Sequence, residues 1–227
     1  MSRVTAALRC TGAAIGRPVE DTNMAAADPR APTADEVLAR LKAGNERFLR
    51  GEARFPTVQK EVLASMARAQ HPYATVLGCS DSRVPPELIF DAGFGELFVI
   101  RVAGNVISPE VMGSMQYAAV HLKTPLVLVL GHEGCGAVAA ALAARRGASR
   151  ERSRIAGLLD NIVPGLQDLA EGLSPEDEMN HAVDANVRWS IHQLLETPEG
   201  KQRLEEGVMK IAGAVYEIRN GRVRFLD

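Results

Sequence analysis

The chain has 227 residues, 46% of them hydrophobic and 24% charged, with a formal net charge of −2. That length can bury the core of one domain, and a balance so near neutral gives no support for a nucleic acid or another polyanion as partner. No apolar run approaches the roughly 20 residues of a membrane span, and an odd set of three cysteines (Cys10, Cys79, Cys135) does not make a disulfide framework, which favours a reducing, cytoplasmic setting.

Residues 1–33 are rich in Ala, Arg and Pro and lack hydrophobic periodicity. Without a continuous apolar stretch they do not read as a secretory signal, and they are expected to be a disordered leader ahead of a single domain over 34–227. Organellar targeting stays open: the early arginines suggest it, while Glu20, Asp21 and Asp28 count against it, and Met24 is a second possible start. Thr33 and Glu36 then form a capping box, followed at helical spacing by Val37, Leu38, Leu41, Asn45 and Phe48, with Gly51 as the stop. This N-terminal helical arm is expected to pack outside its own hairpin, for example on a second subunit. A second helix is expected around Gln59–Gln70, ending before His71-Pro72.

Three short runs, YATVLGC, ELFVIRVAG and PLVLVLGHEG, are apolar on both faces and read as buried parallel strands. Helical stretches lie between and after them, GSMQYAAVHL and GAVAAALAARR. The alternation implies an α/β fold with a mostly parallel β-sheet flanked by helices, whose functional residues gather at the carboxyl ends of the strands. The basic stretch from Arg145 to Arg154 reads as a solvated inter-helix loop. Ser174, Pro175 and Asp177 open a long helix with Val183, Val187, Ile191 and Leu194 on its apolar face, and Trp189 is expected to pack rather than bind. A β-hairpin around Asn220-Gly221, read as a type I′ turn, closes the chain and makes the last strand antiparallel.

Chemistry concentrates in two places. GCSDSRVPPE, starting at Gly78, puts Cys79 at a strand end two residues before Asp81, and GHEGCGAV puts His132 and Cys135 three apart in a glycine-rich turn. Two thiolates and an imidazole are a borderline-soft set suited to Zn²⁺, with a fourth position free for chemistry. Spacing alone leaves a buried pair of thiols with no metal equally open. His71, His121, His181 and His192 read as capping or helix-face residues.

C-S-D-S-R at 79–83, followed about fifty residues later by G-H-x-x-C-G at 131–136, resembles the β-class carbonic anhydrases. The likeness runs from about Thr33 to the end through RVAGNV, GSMQYA and AGAVYEI. It implies a sheet of about four parallel strands plus the antiparallel one, and an enzyme that interconverts CO2 and bicarbonate as a homodimer or a higher assembly of dimers. It implies one Zn²⁺ per subunit held by Cys79, His132 and Cys135, and a zinc-bound hydroxide that attacks CO2 under the control of an Asp81–Arg83 dyad. Gln70, Phe98, Ala103, Gly104 and Tyr117 fall where the family lines its substrate pocket.

Some relatives close the site by turning the aspartate onto zinc, and pair that form with a second bicarbonate pocket that uses a Trp three residues before the first cysteine. Here that position is Val76, although Arg101 matches another part of the pocket, and the open form is expected. Gln116 stands where relatives commonly carry Glu, and Glu133 where a small or polar residue is frequent. Three rival readings remain: a hydrolase of carbon disulfide or carbonyl sulfide on the same scaffold, a non-catalytic relative, and a Cys79 nucleophile activated by His132.

Overall fold

The capping box forms as its residues dictate. In the computed structural model, which describes residues 31–54, 63–64, 66–147 and 153–226, the Thr33 hydroxyl accepts from the Glu36 amide. The Glu36 carboxylate in turn accepts from the Thr33 amide at 2.7 Å. Helix α1 (Ala34–Leu49) follows, with Val37 and Leu41 fully buried. Within the chain it packs on the closing strand and on the short helix α2 (Pro86–Ile89). Asn45, read from the sequence only as a helical spacing position, is the fastener. Its amide donates to the carbonyls of Ile89 and Gly221, and its oxygen accepts from the Val223 amide.

Strands β1 (Ala74–Gly78), β2 (Leu97–Arg101), β3 (Leu126–His132) and β4 (Lys210–Glu217) run parallel, and β5 (Arg222–Leu226) pairs antiparallel with β4. The order across the sheet is β2-β1-β3-β4-β5. Side chains alternate between two cores. Leu77, Val127 and Val129 face one layer, while Val76, Leu126, Leu128 and Leu130 face the layer beneath α1 and α2.

The first layer is built by α3 (Pro109–Tyr117), α4 (Gly136–Arg145), α5 (Ser153–Leu159) and the long α6 (Pro175–Leu195); α7 (Pro198–Glu205) leads into β4. Ser174 caps α6 through the Asp177 amide, and Trp189 packs, donating Nε1–H to the Asn161 carbonyl. Helix α6 lies on β3 closely enough that a Cβ at Gly131 would come within 2.6 Å of Val187.

Three expectations are corrected. β2 is an edge strand, and Leu97 to Ile100 are half-buried rather than enclosed on both faces, because nothing among the described residues pairs with its outer side. The hairpin connection is not type I′. That turn needs positive φ at two successive residues, whereas here four residues, 218–221, join the strands and only Gly221 has it. The helix expected over GSMQYAAVHL starts earlier, at Pro109 behind a Ser108 cap, and widens into a π-turn over Ala118–Leu122. The leader up to residue 30, residues 59–62 and 65 of the expected second helix, and residues 148–152 of the basic stretch lie outside the described residues.

Replacing Asn45 by Ala strands three buried backbone groups at once. The expected cost is about 2–4 kcal/mol in urea unfolding, since each lost partner exposes a buried group's desolvation penalty.

Candidate metal centre

Two adjacent parallel strands end side by side, with Gly78 opposite Leu130. Cys79 leaves β1 at that level, and His132 is the last residue of β3. The turn after β3 then returns Cys135 to the same point at the start of α4. The ligating atoms of Cys79, His132 and Cys135 lie within 4.8 Å of one another, and all three residues are buried. The sulfurs are 4.0 Å apart. Tetrahedral zinc with Zn–S near ~2.3 Å requires about 3.8 Å between two sulfurs, so the donor set fits such an ion.

The imidazole supplies a second sign of fit. His132 Nδ1 faces the Glu133 carbonyl at 2.9 Å; a carbonyl only accepts, so Nδ1 carries the hydrogen and Nε2 keeps a lone pair. That Nε2 is buried and has no hydrogen-bond partner among the described residues. A buried, unpaired acceptor beside two thiols is what a metal would satisfy.

The acid and the guanidinium form one rigid unit. Arg83 donates from Nε to Asp81 Oδ1 at 2.9 Å and from Nη2 to Oδ2 at 2.8 Å, and its amide adds a third bond to Oδ1 at 3.0 Å. Those bonds hold the Asp81 carboxyl well below the usual carboxylate range. Asp81 Oδ2 is 3.9 Å from His132 Nε2, beside the ligand set, with its oxygens turned to Arg83 in the arrangement expected of the open form. Arg101 fastens the loop beneath, donating Nε–H to the Cys79 carbonyl at 2.9 Å and Nη2–H to the Asp81 carbonyl at 2.6 Å. Its guanidinium is therefore engaged by the very segment that carries the site.

The two sulfurs act as a pair that shares a proton. The hydrogen bond with Cys135 does most to lower the Cys79 thiol, helped by His132 and by the Asp81 and Gly104 amides, while burial opposes. Cys135 is pushed up by Cys79 and by burial, with the Ala137 and Val138 amides pulling the other way. Burial works against a charged His132, but the facing Cys79 sulfur favours the charged form and outweighs that, and its pKa rises.

The five residues expected to line the pocket are not equally placed. The Gly104 amide donates to Cys79 Sγ at 3.3 Å, and Ala103 precedes it on the same turn. Phe98 on β2 stacks with Tyr117 at the end of α3, ring centroids 6.2 Å apart, and Tyr117 is 47% exposed. Gln70 is exposed just before β1. Arg101's grip on the loop and the Glu133 carbonyl were not legible in the sequence, since neither follows from spacing. The polar pair Asn186 and Ser190, four apart within the apolar face of α6, was a visible signal: Asn186 donates to the Gly104 carbonyl and Ser190 to that of Asn105.

A family model for carbonic anhydrase matches residues 74–223. The chain belongs to the β-class carbonic anhydrases. Carbonic anhydrase 2 of Mycobacterium tuberculosis is 38% identical over 189 residues, covering 82% of this chain and 90% of that relative. The carbonic anhydrase of Mycolicibacterium smegmatis is 39% identical over 196 residues, 85% of this chain and 94% of the relative. Among solved structures, the β-carbonic anhydrase CcaA aligns with a TM-score of 0.70 at 29% identity, over 84% of this chain and 95% of that one. The five-stranded sheet and its flanking helices are thus those of a β-carbonic anhydrase.

The raised pKa of His132 sets a direction for metal uptake. A metal must displace that proton, so zinc affinity should fall as pH is lowered through the histidine's pKa and recover above it. Competition with a chromophoric chelator across pH measures this; an affinity independent of pH would contradict it. Cys135→Ala should abolish stoichiometric zinc uptake in the same assay.

Proposed function

We propose that this carbonic anhydrase catalyses the zinc-dependent reversible hydration of CO2, with Cys79, His132 and Cys135 as the ligands of one Zn²⁺ per subunit. The observation that carries the reading is the convergence of three ligating atoms within 4.8 Å beside a carboxylate already locked by an arginine. Bound zinc supplies a nucleophilic oxygen by lowering the pKa of water.

The chain's own residues do the rest. Asp81, kept ionised by Arg83, can only accept hydrogen bonds, so its Oδ2 is placed to hold the nucleophile's remaining proton away from CO2. The bidentate guanidinium keeps that oxygen from swinging inward. Carbon dioxide is linear and apolar, and the cysteines sit in one apolar cluster with Val106, Ile107 and Val138, which favours CO2 over water at that face. Gln70, Phe98, Ala103, Gly104 and Tyr117 complete the pocket in this reading.

The reading extends to assembly and setting. An edge strand with an open side, Phe94 58% exposed before it, and Tyr117 and Val120 exposed from α3 and its continuation favour a homodimer formed there. Free cysteines at the site suit the reducing cytoplasm. Among the described residues no helix is long and apolar enough to cross a membrane.

Two thiolates cancel the formal charge of the ion, and Asp81 adds a further negative charge nearby. Because the Asp81 pKa is depressed, that charge persists across the neutral range. CO2 hydration measured by stopped flow should therefore rise between about pH 6.5 and 9, around and above the pKa near ~7 that water has on a three-histidine zinc. A flat profile, or no hydration by zinc-loaded protein, would sink the reading. Asp81→Asn should slow hydration by about 10–100-fold while zinc stays bound, the scale typical of groups that orient a metal site from outside its ligands. Val120→Glu, placing a charge on the proposed dimer face, should shift sedimentation from dimer to monomer.

A further inference from the structure

Between β2 and α3 the chain turns through two successive left-handed residues, Gly104 at φ 70° and Asn105 at φ 43°. For a residue with a side chain that conformation costs of order 1–3 kcal/mol and persists only where the surroundings enforce it. The enforcement comes from α6. Asn186 Nδ2 donates to the Gly104 carbonyl at 2.8 Å, and Ser190 Oγ donates to the Asn105 carbonyl at 3.0 Å. Both side chains belong to residues only 1% exposed. They stand four residues apart, on one face of the helix. The other side of the loop is closed too: a Cβ at Gly104 would meet Ile162 Cδ1 at 2.8 Å and Ala137 Cβ at 3.0 Å.

With its carbonyl side tied to α6, the loop directs the Gly104 amide at Cys79 Sγ, 3.3 Å away. We propose that Asn186 and Ser190 are positioning residues that set how strongly the Cys79 sulfur donates to the bound metal, acting through the Gly104 N–H. Neither residue touches a ligand atom or the reacting oxygen. An N–H donor withdraws charge from a thiolate, so a sulfur that receives it gives less to the metal. The ion then keeps more of the Lewis acidity that two thiolates would otherwise cancel. Groups outside the ligand set commonly tune metal sites in this way. The inference rests on the reading of Cys79, His132 and Cys135 as metal ligands.

Cobalt(II) reports sulfur donation directly, because its sulfur-to-metal charge-transfer band moves with the energy of the thiolate lone pairs. Cobalt-loaded Asn186→Ala and Ser190→Ala should show that band at longer wavelength than the parent protein, because a sulfur relieved of the Gly104 N–H donates more strongly. Ser174→Ala is the control: it removes the cap hydrogen bond to the Asp177 amide at the start of the same helix, and should leave the band in place. Cobalt taken up with an unmoved band in both Asn186→Ala and Ser190→Ala overturns the inference alone. A parent protein that takes up no cobalt overturns the ligand reading, and the inference with it.

A measurement on the unmutated chain guards against variants that fail to fold. In isotope-labelled protein loaded with the NMR-active cadmium isotope, the Gly104 amide proton should couple to cadmium through the Cys79 sulfur. Absence of that coupling in a cadmium-loaded sample overturns the proposal.

Discussion

Parallel pairing of β1 with β3, with Gly78 opposite Leu130, is the constraint on which the rest of the molecule depends. It brings the exit of one strand, at Cys79, level with the last residue of the other, at His132. Side chains on a strand alternate between faces, so a slip of one residue would turn His132 away from the sulfurs and carry Leu128 and Leu130 out of their core. The same register therefore places the apolar residues and the ligand set. A sheet buried on both sides tolerates no such slip, which is why a chemically demanding site can stand on it.

Around that point the chain spends its polar groups on holding the backbone rather than on meeting solvent. Arg101 grips two carbonyls beneath the Cys79–Asp81 segment, and Arg83 locks Asp81. Asn186 and Ser190 hold the 104–105 turn. A buried polar side chain that satisfies a loop carbonyl stabilises one loop conformation, because leaving either partner unpaired costs about 1–3 kcal/mol. The site is rigid for that reason. Its ligating atoms are close to the separations zinc needs, and the lone pair of His132 is already turned inward by the Glu133 carbonyl.

The sheet's outer side follows a different logic. β2 closes one edge of the sheet with half-buried apolar residues, and beside it the Phe98 ring stacks on Tyr117, whose ring packs at a tilt against His121. The opposite edge is finished by a short hairpin whose strand is fastened to α1 by Asn45 and whose Arg224 pairs with Asp184. Among the described residues one edge is fastened within the chain and nothing pairs with the other, the arrangement on which the proposed homodimer rests.

Much of this was legible in one dimension because it depends on local chemistry. The Thr33 and Ser174 caps, the apolar strand runs and the alternation of strands with helices follow from hydrogen-bonding valence and side-chain period. Cys79, His132 and Cys135 were legible as a donor set of the right chemistry, but their approach to within 4.8 Å required the parallel register. The roles of Asn45 and Arg101 could not be read, and Asn186 and Ser190 showed only as a polar break in the apolar face of α6, since each bonds to backbone groups twenty or more residues away. The half-buried edge strand and the four-residue hairpin connection were misread because a strand's place in the sheet, and the φ of Asn220, are set by neighbours rather than by the residues themselves. The sequence by itself determined which atoms could bind a metal and which segments would become strands. Only the tertiary structure decided which backbone groups those side chains hold, because such bonds are chosen by packing between layers and leave no periodic trace along the chain.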